Sequence, residues 1–277
     1  MSRRPAIRLF FLALPLLLAA PFALSPALAF KASDVEKFKA DNRCEKCDLR
    51  RANFKETAHD GAKLGKVKAR DVDFKGASLI GADFQDAELR RADFEKAILS
   101  NANMKSVDLV AADMEKANLT GADLSRADAR DSDLDNANLM GAVMIRIDLG
   151  QSDLKRANLH NAILTKAKLI GTNLERAVLV NANLEGADIT RGDLDRADLT
   201  RANLKGAKLK RAKLKRANFS GANLMNVDFE DAVLKLANFS GANLAGAENL
   251  EQEILDTACG SKNTILPDDL TIKACKP

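Results

Sequence analysis

From Cys47 to about Leu244 the chain repeats in fives without a slip. A small residue stands two places before a large apolar one, as in Ala52-Asn53-Phe54, Ala82-Asp83-Phe84, Ala117-Asn118-Leu119 and Ala202-Asn203-Leu204. Stepping by five from Leu49 to Leu244, only His59, Ala69 and Ala129 replace the Leu, Phe, Met or Ile of the large position. An α-helix turns about 100° per residue, so a period of five would smear its apolar row round the whole cylinder and leave no face to bury. Two apolar positions two apart instead share one side of an extended segment, and the two residues that follow must turn the chain before the pattern restarts. A short bridge and a corner, endlessly repeated, predict a β-solenoid.

The residues that carry this pattern resemble the pentapeptide-repeat family, whose consensus runs Ala, Asp or Asn, Leu or Phe, then two variable positions. The resemblance covers about 200 residues, roughly 47–246. It implies an all-β fold, a right-handed quadrilateral β-helix with four repeats to a coil, so that residues twenty apart share a column. About ten coils at about 4.8 Å each would make a rod of roughly 48 Å. The family is functionally heterogeneous, so fold alone does not carry function.

A solenoid exposes its core and its unpaired edges at both ends, and the flanking segments read as lids. In residues 30–46, Ser33-Asp34-Val35-Glu36 has the pattern of a capping box and predicts a helix to about Asp41, with Val35 and Phe38 on one side. In 247–277, Asn249-Leu250-Glu251-Gln252 repeats the device, and the helix through Leu255 is expected to stop at Gly260. Residues 1–29 read as an export signal. Arg3, Arg4 and Arg8 precede the apolar run Leu9 to Leu24, and Ala27-Leu28-Ala29 has the small-x-small form of a cleavage site. A retained membrane anchor is the competing reading, but Pro15 and Pro21 interrupt the run. The expected location is periplasmic or secreted.

Charge narrows the partners little. The whole chain has 43 Lys and Arg against 39 Asp and Glu, and removing the signal's three Arg leaves it near neutral, with no global field to select a polyanion or polycation. Trp and Tyr are absent, and seven of the 12 Phe occupy repeat centres. No aromatic platform remains for stacking bases, so nucleic acid is not an expected partner.

Four cysteines mark the ends. Two local disulfides are expected, Cys44 with Cys47 and Cys259 with Cys275, as befits an exported protein. Cys44-x-x-Cys47 also has the spacing of a thiol oxidoreductase, although no βαβ context surrounds it. No zinc site, catalytic triad, phosphate loop or calcium loop is present in the sequence, and no cofactor is expected. Of the two histidines, His59 falls at a repeat centre in the least regular stretch and reads as a corner or bulged side chain with Asp60 as partner, while His160 falls at an outward corner.

Three surface columns follow from the spacing of twenty. Asn53, Asp73, Asp93, Asp113, Asp133, Asp153, Asn173 and Asp193 form an acidic stack, which the parallel column Lys96, Lys116, Arg156, Arg176, Arg196 and Arg216 is expected to neutralise as a ladder of ion pairs. Asn183, Asn203, Asn223 and Asn243 can bond up a third column. The densest local charge is the cluster Lys205, Lys208, Lys210, Arg211, Lys213, Lys215 and Arg216, the candidate contact patch for an acidic protein or an anionic envelope surface. The functional expectation is an exported, non-enzymatic scaffold that presents flat outer faces to a protein or envelope partner. The alternatives are a DNA mimic binding a topoisomerase, as some of the family are, and a thiol-redox protein acting through Cys44 and Cys47.

Overall fold

Each repeat has five backbone N–H groups, and those that are buried need an acceptor within the fold. The computed structural model of the protein, which describes residues 31–276, shows how. In the repeat centred on Phe74, Asp73 N–H donates to Ala52 O at 2.9 Å, Phe74 N–H to Asp93 O at 2.7 Å and Gly76 N–H to Glu95 O at 2.8 Å. Ala77 N–H returns to Phe74 O at 2.9 Å and closes the corner as a β-turn. The fifth donor, Lys75 N–H, goes to the side chain of Asp73, Oδ1 at 2.9 Å. The Asp or Asn of the repeat is therefore a structural acceptor, and the turn's third residue sits at positive φ, whether glycine (Gly76, 65°) or not (Lys96, 60°).

The resulting connections are single parallel bridges between residues twenty apart, in four rows. The first row runs from Asp48↔Lys68, the second from Asn53↔Asp73, the third from Ala58↔Ser78 and the fourth from Arg43↔Lys63. Behind the second row, Phe74, Phe94, Met114, Leu134, Leu154, Leu174 and Leu194 form one buried column. The small positions are buried too, including Ser132, Ser152 and Thr172, whose hydroxyls donate to the carbonyls of Ala129 (2.6 Å), Leu149 (2.6 Å) and Leu149 (2.8 Å). A hydroxyl that returns to a nearby carbonyl carries no unsatisfied polar atom into the core. Ala129 is flanked in its own interior by buried Val107 and Ile147, which supply the volume it lacks.

Two helices flank the bridges. In α1 (Ala32–Asp41), Val35 and Phe38 are buried, and the Phe38 ring stands edge-on to Phe54 with centroids 5.0 Å apart. The expected capping box is not used. Helix α1 begins one residue before Ser33, its N-cap Lys31 makes no side-chain bond, and Asp34 Oδ2 instead accepts the Asp48 N–H at 3.0 Å. The stronger claim on Asp34 is the first bridge row, which needs an acceptor where no earlier coil exists. At the other end α2 (Gln252–Leu255) also lacks a side-chain N-cap, and Asn249 reaches Asp228 Oδ1 at 2.8 Å. Helix α2 ends before Asp256, earlier than expected, because Gly260 is taken by a parallel bridge to Ala274. The third and fourth rows close on Cys259 and Ile265, no longer twenty residues on, where the helix has broken the period. The segment read as an export signal lies outside the described residues.

Candidate functional site

Inward positions are closed by packing, so any site must be built from the outward residues and from the two ends. Both expected disulfides are present, Cys44–Cys47 and Cys259–Cys275. Cys44 is fully buried and Cys47 nearly so, an environment without the access that thiol exchange requires.

His59 departs from the expectation of a corner side chain paired with Asp60. Its repeat-centre position turns it inward, where it is 8 % exposed and packs with Phe38 at 4.4 Å and Phe54 at 5.6 Å between ring centroids. Nδ1 lies 3.0 Å from Asn42 Oδ1, and Nε2 is buried without a partner. Asp60 is engaged elsewhere, accepting the Ser78 hydroxyl at 2.5 Å and the Ile80 N–H at 3.0 Å. Burial lowers the His59 pKa from its ordinary value of 6.5, against a smaller opposing pull from Asp60. The neutral ring is thus the form the fold favours. The stability this contributes is whole above about pH 6.5 and is lost as pH falls from there through the lowered folded value, because the unfolded chain takes the proton first. Hydrogen exchange at the Val35 and Phe38 amides should accelerate over that window. His59→Leu, which restores the usual residue, should remove the dependence, and an unchanged profile in the variant would count against it.

The acidic and basic columns of the second row are both present but do not pair as expected. Asp73, Asp93, Asp113, Asp133 and Asp153 accept the N–H two residues on, at 2.8–3.0 Å, and none joins an ion pair among the described residues. The basic corners take the nearer acid. Lys96 pairs with Glu95 at 2.5 Å, Lys116 with Glu115 at 2.5 Å, Arg156 with Asp135 at 2.7 Å and Arg176 with Glu175 at 3.4 Å. Glu95 also binds Lys75, and the ammonium groups of Lys75 and Lys96 hold its carboxyl at about 2. Asp93 moves the other way, raised by burial and then by its stacked neighbours Asp113 and Asp73. The amide column bonds upward as expected, Asn203 to Asn183 at 3.1 Å and Asn223 to Asn203 at 3.0 Å.

The basic cluster is divided by the fold. Lys208, Lys210 and Arg211 belong to the first row and its corner, Lys213, Lys215 and Arg216 to the second, and Lys205 to the fourth. Four of the seven are ion-paired: Lys208 with Asp188 (3.6 Å), Lys210 with Asp228 (2.9 Å) and Glu230 (2.7 Å), Arg211 with Asp231 (3.2 Å) and Lys213 with Asp193 (3.0 Å). Hydrogen bonds that Lys210 donates to Glu230 and then to Asp228 raise its pKa. Lys205, Lys215 and Arg216 join no ion pair among the described residues.

The third row shows a feature that column counting could have found. From Ser78 to Ser240 its outward residues include only His160, Asp198 and Arg201 as ionisable groups, and Ile80, Ile98, Met140 and Val178 stand 38–42 % exposed along it. Every other row is dense in charge.

Comparison with known proteins follows from this geometry. The model of pentapeptide repeats matches in eight copies, successively from residues 47–86 to 212–248. The crystal structure of HetL, a pentapeptide repeat protein involved in heterocyst differentiation regulation from the cyanobacterium Nostoc sp. strain PCC 7120, is similar at 31 % identity with a TM-score of 0.73. The alignment covers 88 % of this chain and 100 % of that one. A pentapeptide repeat protein of the Arabidopsis thaliana thylakoid lumen is 35 % identical over 38 % of this chain and 66 % of its own, with a TM-score of 0.31. QnrB1, a plasmid-mediated fluoroquinolone resistance protein, is 19 % identical over 80 % of this chain and 89 % of its own, with a TM-score of 0.34. No curated protein matches. The fold is a right-handed β-helix.

Proposed function

The chain belongs to the pentapeptide-repeat family, and on that premise we propose that it is an exported, non-enzymatic scaffold, a four-sided rod of about ten coils closed at each end by a helical segment and binding a protein partner along its outer faces. One observation carries the reading: a long outward row with almost no charge and with four exposed aliphatic side chains, set between charged rows. Depletion of charge at the centre and a charged rim are what protein interfaces have in common. A row of neutral polar residues and scattered exposed aliphatics on an otherwise charged rod is the face best suited to lie against another protein. The two disulfides fit an oxidising compartment, and export supplies one.

Crosslinking in the native compartment followed by mass spectrometry tests this reading. Ile98→Lys with Val178→Lys should leave the rod folded, since both side chains are partly exposed, and should remove its protein partners. Lys208→Gln, Arg211→Gln and Lys213→Gln together should retain them, because those charges are occupied by Asp188, Asp231 and Asp193 and each exposed pair is worth at most about 1 kcal/mol. If the charge variant loses the partners and the lysine variant keeps them, the contact lies on the basic cluster. The DNA-mimic alternative would need unpaired carboxylates along the rod, and the second row offers five, Asp73 to Asp153. Inhibition of a topoisomerase's supercoiling activity by the protein would favour it.

A further inference from the structure

The second row stops one bridge short of the other three. Above the last regular coil the first row is continued by Asp228↔Glu248, the third by Asn238↔Cys259 and the fourth by Asn243↔Ile265, whereas the second ends at Lys213↔Val233. The cause is a surplus of two residues. Along the rod a repeat's N–H finds its acceptor nineteen residues on, as from Leu214 to Val233, and Phe229 N–H still does so at Glu248 O (3.0 Å). Leu236 N–H instead reaches Thr257 O (2.7 Å), twenty-one residues on. The turn of α2 takes up the difference and lifts the chain off the row between those two bonds.

Three backbone groups are left open beneath it. The Asp231 N–H, the Ala232 carbonyl and the Leu234 N–H have no partner among the described residues. From Cys44 to Leu244 every other repeat-centre N–H has an acceptor, and from Ala52 to Ala242 every other small-position carbonyl receives a donor from the next coil. Residues 232–235 line a groove of about 340 Å³ with Glu253, Ile254 and Thr257. The side chains change at the same place. The column of Asp153, Asn173, Asp193 and Lys213 ends in Val233, and the corner column of Arg156, Arg176, Arg196 and Arg216 ends in Leu236. These two are 52 % and 53 % exposed, with Lys235 between them. An edge that stays bare is guarded by charge, and here charge gives way to aliphatic side chains where the backbone is open.

The open groups define what fits. In the coil below, a single residue of the chain meets the equivalent pair, Val233 N–H donating to Ala212 O (3.0 Å) and Val233 O accepting from Leu214 N–H (2.9 Å). An extended peptide carries that donor and acceptor on one residue, and a lipid chain does not. The other rows stand one strand higher, about 4.8 Å, which keeps the end of a second rod or a broad folded surface from reaching the edge. We propose that this notch takes an extended segment of a partner protein, added as one more parallel strand on the second row. Its pairing residue is aliphatic and lies outward against Val233. The residues on either side of it are small, because they face inward, where the fully buried Leu255 already fills the end of the core.

Titration of the protein with acetyl-Glu-Asp-Ala-Val-Ala-Lys-amide, followed through its backbone amide resonances, tests this. The peptide has the sequence of residues 230–235 with alanine in place of the inward leucine. The Leu234 and Asp231 amides are expected to shift downfield and to exchange more slowly as peptide is added. The same peptide with N-methylvaline lacks the donor for Ala232 O and should bind at least about tenfold more weakly. Maltohexaose, which has hydroxyls but no amide, should leave both resonances in place. Val233→Lys with Leu236→Arg installs the residue types of the coil below at two exposed positions and should weaken peptide binding at least about threefold. Ile98→Lys with Val178→Lys, on the third row, should stay within about twofold, so the outcome is separate from that of the crosslinking experiment. An unmoved Leu234 amide, equal binding of the N-methyl peptide or of maltohexaose, or undiminished binding in the lysine and arginine variant would each overturn the proposal. So would a Leu234 shift that follows protein concentration without peptide, which is the mark of a second copy in the notch.

Discussion

Phe74→Ala is expected to destabilise the first coils by about 3 to 5 kcal/mol, the range for truncating a fully buried aromatic. Phe74 has no exposed surface and lies in a continuous stack, 5.2 Å from Phe54 and 5.4 Å from Phe94 between ring centroids, with Phe84 edge-on at 6.0 Å. Removing it leaves a gap that neither neighbour can fill, because each ring's own coil is pinned by bridges above and below. Each coil touches only the next, so the damage should stay local. Hydrogen exchange should rise in the repeats from Phe54 to Phe94 and remain unchanged beyond about Leu154. A loss under about 1 kcal/mol, or uniform acceleration along the chain, would show that the column is not close-packed or that the rod melts as one unit.

The second large effect is expected at the opposite end. Cys259→Ser with Cys275→Ser opens a loop of 16 residues, and closing a loop of that size is worth about 3 kcal/mol. The stretch from Cys259 to Ile265 is also bonded to the last coil, as by Leu244 N–H to Ile265 O at 2.7 Å and the Thr264 hydroxyl to Phe239 O at 2.9 Å, whereas the segment near Cys275 returns to it through the Gly260–Ala274 bridge. Without the disulfide, the tail should be cut by protease and the amides around Phe239 and Leu244 should exchange faster. The parent protein under reductant should behave like the variant. Reducing Cys44–Cys47 should matter less, since its closed loop is so short. A tail that stays protected after reduction would mean the side chains alone hold it.

What was legible in the sequence was whatever the period dictates. The inward column from Phe74 to Leu194, the stacked Asp and Asn side chains and the two local cysteine pairs all follow from spacing, and the structure has them. What spacing does not give is competition for a shared partner. Ser33 and Asn249 had the composition of helix caps, but the bridge rows claimed Asp34 and Asn249 first. His59 looked like an irregular corner because its residue type is unusual, yet position, not type, turned it inward. The expected acid–base ladder failed from Asp73 to Asp153 because the lysines and arginines of the basic column found Glu95, Glu115, Asp135 and Glu175 closer.

Four rows related by twenty residues give the molecule a kind of reading frame in space. Inserting or deleting twenty residues would lengthen or shorten the rod and leave every later side chain facing as before. Five residues would fit the local pattern equally well, with each corner still closed and each large residue still inside. Everything downstream would nevertheless be rotated by a quarter turn, carrying the sparsely charged third row onto a new bearing relative to whatever precedes it. Duplication of whole coils is then the silent way for such a chain to grow, and loss of a single repeat is a frameshift that a folding assay would not detect.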